Sequence, residues 1–179
     1  MKKVLLLTFM LATSITATSF ANDAIGIFAD AAGMSFELSG GPGIALYYYV
    51  HINTYGATGS RWAAPHPACL NATRFADLPV FPINLGNTEA GITIGYGQCE
   101  SGSFLIMTSV YYVTSATDCC SWRVVPDPNV LSGKIEIQDC NFGLTYGYGG
   151  EGMIHRTPAC PWVATEDTTW GRVKVLYSE

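Results

Sequence analysis

Residues 117 to 122 read TDCCSW, and the adjacent thiols of Cys119 and Cys120 limit what this chain can fold into more than any other feature. Neighbouring Cα atoms lie about 3.8 Å apart, below the roughly 4.4 Å that a disulfide ordinarily needs. A bond between the two would demand a distorted or cis peptide, so each sulfur is expected to bond elsewhere. Successive side chains of a strand point to opposite faces, and neighbouring cysteines can therefore fasten one strand end to two different elements. With Cys69, Cys99, Cys140 and Cys160 the total is six. An even number in an exported chain reads as three disulfides with no free thiol.

Export is read from the N-terminus. Lys2 and Lys3 precede VLLLTFMLA, Val4 to Ala12, and a polar stretch leads to SFA at Ser19 to Ala21. This is the pattern of a secretory signal peptide over residues 1–21, cleaved before Asn22. The apolar run falls well short of the roughly twenty residues that span a bilayer. Residues 22–179 are thus expected outside the cytoplasm, extracellular or periplasmic, with no membrane insertion after signal cleavage. Losing Lys2 and Lys3 leaves seven basic groups against fourteen acids, a net charge of −7. With no Lys/Arg cluster, the chain lacks the basic face that nucleic acid or an anionic membrane requires.

Nineteen glycines, nine prolines and ten tyrosines, spread without any low-complexity run, point to many short strands separated by turns. AIGIFAD at Ala24 to Asp30 predicts a first strand, and IALYYYVHIN at Ile44 to Asn53 a long second one, its Tyr and Val content suiting a pleated, half-buried surface. Further strands are expected at Val80–Ile83, Gly91–Tyr96, Ser103–Val113, Trp122–Val125 and Lys134–Asp139. Their spacing predicts an all-β, disulfide-stapled, two-sheet immunoglobulin-like sandwich over residues 22–165. In SGKIEIQD, Ile135 and Ile137 share one face while Lys134, Glu136 and Gln138 share the wet one. GLTYGYGGEGM, Gly143 to Met153, reads as a mobile glycine-rich turn; with no helix following, it is not a nucleotide site.

Strand parity also suggests disulfide partners. Cys120 shares a face with Trp122 and Val124, and Cys119 with Ser121 and Arg123; Cys140 falls on the polar side with Gln138 and Glu136. Taking PDPN, Pro126 to Asn129, as the turn between the two strands matches Cys119 with Cys140 and leaves Cys69 for Cys99. A bulge at Asp139 would transfer Cys140 to the other member of the vicinal pair. His66 and His155 precede Cys69 and Cys160, but no paired CxxC unit accompanies them, so they read as loop histidines beside structural cysteines and no metal is expected.

No motif of nucleophilic, zinc-hydrolytic or phosphate-binding chemistry is present, and His51 lies inside a strand-like run. The expected function is a secreted or periplasmic, non-catalytic structural or ligand-binding module, without catalytic residue or cofactor, whose ligand is a glycan or a protein. Of the four tryptophans, Trp122 belongs to the core, and Trp62 and Trp162 are the candidate ligand-binding residues. The rival class is a carbohydrate-active enzyme using two of the fourteen acids, or a thiol/disulfide redox protein using the vicinal pair. Against the redox reading, Asp118 beside the cysteines would raise a thiol pKa.

The stretches AIGIFADAAGMS, VHINTYGATG, VFPINLGNTEAGITIGYGQC, VVPDPNVLSGKIEIQDC and EDTTWGRVKVLY together resemble a group of uncharacterised exported bacterial proteins of about this length. The resemblance covers nearly the whole of residues 22–179. It implies export and a shared fold, and it carries no catalytic or binding residue. Members of the group often have a cysteine soon after the AAG stretch, where this chain has Phe36.

Residues 166–179, EDTTWGRVKVLYSE, form a C-terminal docking segment. Thr168 or Thr169 can cap a short helix on which Trp170, Val173, Leu176 and Tyr177 recur at spacings of three and four as one apolar stripe. So short a helix is stable only when docked. A final strand, with Val173, Val175 and Tyr177 alternating against Arg172, Lys174 and Leu176, is the competing reading.

Overall fold

The computed structural model describes residues 23–155 together with Thr157 and Cys160. The expected signal peptide, Trp162 and the expected docking segment with Trp170, Val173, Leu176 and Tyr177 lie outside the described residues. The described chain is all-β, with ten strands in two sheets and no helix. Strand β1 is Ala24–Phe28, β2 Glu37–Leu38, β3 Gly43–Trp62, β4 Leu70–Pro79, β5 Ile83–Asn87, β6 Gly91–Ala116, β7 Cys120–Arg123, β8 Ile135–Asp139, β9 Leu144–Gly149 and β10 Glu151–Ile154.

The large sheet runs β1-β9-β8-β3-β6-β4, with β5 also on β6. Two long strands organise it. Strand β3 carries register shifts between Tyr49 and Val50 and between Asn53 and Gly59. Its first half pairs with β1 and its second half with β8. Strand β9 then joins β8 to β1, so this part of the sheet closes on itself. Bulges bend strands and increase their twist, which allows one long strand to serve two sets of neighbours. The small sheet, β2-β10-β7, covers the other side of the core. The two sheets are joined where Ala63 and Val125 exchange backbone hydrogen bonds of 2.8 Å in both directions.

Alternation along the strands explains the core. Ala45, Tyr47 and Tyr49 of β3 face inward with Tyr111 of β6, and Cys120, Trp122 and Val124 meet them from the small sheet. Trp122 stands edge-on to Tyr47 at 4.7 Å and to Tyr111 at 5.2 Å between ring centres, and its indole N–H donates to the Ala64 carbonyl at 3.1 Å. A buried aromatic with its polar handle satisfied is a stable arrangement. Ile135 and Ile137 are buried as the alternation of β8 predicts.

Three expectations are corrected. The disulfides are Cys69–Cys120, Cys99–Cys140 and Cys119–Cys160, with Cα separations of 5.6, 5.3 and 5.2 Å and no free cysteine. The vicinal cysteines do have separate partners, but Cys140 pairs with neither of them and Cys69 does not pair with Cys99. The physical reason is that β7 and β8 are not a hairpin: β7 pairs with β10, whereas β8 pairs with β3 and β9. Second, the glycine-rich Gly143–Met153 stretch forms most of β9 and β10 rather than a turn. At Gly149, a Cβ would stand 1.8 Å from the Val124 carbonyl oxygen, so glycine is needed for the sheets to approach. Third, the expected strands shift: Gly91–Tyr96 and Ser103–Val113 are two ends of the single strand β6, and Val80–Ile83 is the bend between β4 and β5, with only Ile83 in a strand.

Candidate functional site

Trp62, expected at a ligand site, is fully buried and packs against Tyr49 with ring centres 4.8 Å apart. It is a core residue, because its position in β3 faces inward, and it is not available to an external ligand. Exposed aromatic and aliphatic side chains lie instead on the outer face of the β3–β6–β4 portion of the large sheet. Ile44 and Leu46 project from β3, Tyr112 from β6, and Phe75 and Leu78 from β4, with exposures of 72, 44, 46, 62 and 53% respectively. The register places Ile44 opposite Tyr112, and Tyr112 opposite Thr73. Phe75 lies 6.3 Å from Tyr112 between ring centres.

The outward positions filling out this surface are Asn71, Thr73, Tyr48, Thr108, Val110 and Thr114, so no charge interrupts it. The two ionic side chains of β4 are taken up with each other: Arg74 Nη1 donates to Asp77 Oδ2 at 2.9 Å. An uncharged face that exposes five large apolar side chains on three adjacent strands is a candidate interaction surface. Its sequence signal was present in IALYYYVHIN, where both faces of the strand are apolar. A half-buried strand alternates, so an apolar outer face needs its own explanation.

Two clusters of chemistry-bearing groups are committed to internal bonds. Asp77 accepts hydrogen bonds from the Thr88 N–H and hydroxyl and from the Ser109 hydroxyl, in addition to Arg74. Glu89 accepts from the His66 backbone N–H and the Tyr111 hydroxyl, and pairs with His66 Nδ1 at 2.8 Å. With their lone pairs occupied, these carboxylates brace the start and end of the β4–β6 edge. The second cluster is a chain in which the Tyr96 hydroxyl donates to Ser60 Oγ at 2.7 Å and lies 2.8 Å from His51 Nδ1. His51 has no exposed surface, and burial lowers its pKa to about 4. The same burial raises the Tyr96 hydroxyl. Sealed against Phe104 and Tyr96, the neutral imidazole has no path to a substrate.

The sulfur chemistry is equally closed. All six cysteines are oxidised and Cys120 is 2% exposed. Cys119 takes a left-handed backbone, φ 57°, which turns its sulfur toward Cys160 while Cys120 points into the core. This answers what adjacency provides: one strand start is tied to β4 through Cys69 and to the segment after β10 through Cys160.

No protein-family model matches the chain, and no curated protein matches it in sequence. Solved structures do match in fold. A complex of CaDoc0917 with CaCohA2 aligns with a TM-score of 0.52 at 14% identity, covering 76% of this chain and 100% of that one. A non-cellulosomal cohesin from the hyperthermophilic archaeon Archaeoglobus fulgidus gives 0.52 at 11% identity, covering 89% and 100%. A type II cohesin domain from the cellulosome of Acetivibrio cellulolyticus gives 0.52 at 11% identity, covering 75% and 95%. The chain therefore has the β-sandwich fold of cohesin modules.

Proposed function

We propose that this chain is an exported, non-catalytic recognition module that binds a protein partner through the outer face of β3, β6 and β4. The observation that carries the reading is the uncharged face bearing Ile44, Leu46, Phe75, Leu78 and Tyr112, exposed on three adjacent strands. Two further facts support it. A structure sharing the fold was solved in complex with a second chain. Asp77, Glu89 and His66 are bonded internally, His51 is sealed in the core, and all six cysteines are oxidised. Export is supported by the leader at residues 1–21 and by three disulfides, which persist in oxidising compartments.

The test is binding of the immobilised oxidised domain to the exported-protein fraction of its own cell. The comparison is with Phe75→Asp/Tyr112→Asp, which places charge on the face without touching the core. The reading expects a saturable partner retained by the wild type and lost at least tenfold by the double variant at equal melting temperature. Equal retention by both would contradict it.

A further inference from the structure

Beyond the second half of β3 in the large sheet, β8 and β9 present a second surface of different chemistry. Leu144, Tyr146 and Tyr148 alternate outward along β9, and the two tyrosines are 46 and 48% exposed. Residues two apart on a strand stand about 6.8 Å apart, so the two side chains form a short aromatic row along an extended line. Beside them is a shallow concavity of about 310 Å³ lined by Pro126, Lys134, Tyr146, Tyr148 and the bare backbone of Gly147 and Gly149. The Cβ positions of the two glycines face the interior, toward Ile137 and the Val124 carbonyl, so on the outer side only their backbone lies beside the tyrosines. Lys134 Nζ lies 4.7 Å over the Tyr146 ring, and Glu136, directly across from Tyr146 in the β8–β9 pairing, accepts from the Ser132 hydroxyl at 3.0 Å. Among the described residues Lys134 makes no ion pair.

We propose that this shelf is a saccharide-binding site for an extended neutral oligosaccharide. Each feature has a counterpart in such a ligand. A pyranose ring offers a C–H face that stacks on Tyr148 and shields both from water, and a chain of rings matches a row of tyrosines better than a single sugar does. Equatorial hydroxyls both donate and accept, and the shelf supplies a cation that donates and a carboxylate that accepts within one strand pair. That mixed pair disfavours an anionic polymer, as does the net charge of −7 on residues 22–179. A proline-rich peptide would also seek tyrosines, but it needs a groove between aromatic walls, whereas this surface is a shelf with one aromatic row.

The experiment is calorimetric titration of the oxidised protein with cellohexaose, xylohexaose and mannohexaose, and in parallel with hexagalacturonate and a deca-proline peptide. At least one neutral hexasaccharide should bind with Kd below about 1 mM. Tyr148→Ala should weaken it roughly tenfold, as loss of one stacked ring implies, and Lys134→Met should weaken it severalfold. Leu131→Ala, an exposed control, should change nothing. All of these positions are exposed, so melting temperatures should stay together. The proposal is overturned if no neutral sugar binds, if binding survives Tyr148→Ala, or if hexagalacturonate or the peptide binds more tightly.

Discussion

Trp122 shows how much one side chain can carry in this fold. It fills the space between the sheets against Tyr47 and Tyr111 and is 1% exposed. Trp122→Ala should cost about 3–5 kcal/mol, read as a lowered midpoint in urea unfolding; a loss below about 1 kcal/mol would mean the two sheets do not depend on it. His51 supplies a pH dependence. Its folded pKa is lowered to about 4, while an unfolded histidine titrates near 6.5. The unfolded state therefore binds more protons between those values, and stability is lost as pH falls from 6.5 to 4, by about 3 kcal/mol in total. Asp23, raised by burial to about 6, works in the opposite sense and offsets part of the loss. Unfolding of the wild type and His51→Gln at pH 7 and 4.5 separates the terms: the wild type should lose more between the two, and parallel behaviour would remove His51 from the account. Residue parity was legible from sequence for Cys120, Trp122, Ile135 and Ile137, because a strand has only two faces. It did not reveal that Trp62 faces the core, since a bulged strand changes which face is inside partway along.

At the scale of elements, the strands were easier to read than their neighbours. Alternation marked β8, and Tyr and Val content the first half of β3, yet β4 was hidden because LNATRFADLP mixes charge into both faces. The charge is Arg74 and Asp77, which neutralise each other and support the β4–β6 edge. The disulfide assignment failed for a related reason. PDPN looks like a hairpin turn, but Asp127 is held by Arg61 Nε at 2.7 Å, and Val125 bridges to Ala63, so the chain there crosses between sheets. Cys69–Cys120 consequently ties β4 to β7 across a sequence separation of 51. Closing a loop of that size constrains the unfolded chain by about 4 kcal/mol. The Cys69→Ala/Cys120→Ala pair should lower stability by 2–5 kcal/mol, and a melting temperature within a degree or two of wild type would show that the tie is dispensable. Gly56, φ 92°, sits against the sulfurs of Cys99 and Cys140, where a Cβ would lie 2.6 Å from Cys140 Sγ. Gly56→Ala should destabilise by more than the roughly 1 kcal/mol of backbone strain alone, measured by the same unfolding midpoint.

At the scale of the whole molecule, composition foretold an acidic, disulfide-bonded β domain, and the fold agrees with that. The interaction face was not foretold, because it is assembled from three strands distant in sequence and appears only when Ile44, Phe75 and Tyr112 are brought together. The proposed function requires that face to be covered by a specific protein. The most direct measurement places the photo-crosslinker p-benzoylphenylalanine at position 75 and, as a control in the exposed loop before β8, at position 131, followed by irradiation in the cell that exports the chain. One discrete, heavier adduct is expected from position 75 that excess unlabelled domain suppresses, and none from position 131. Equal adducts from both positions, or none from position 75, would contradict the proposed function.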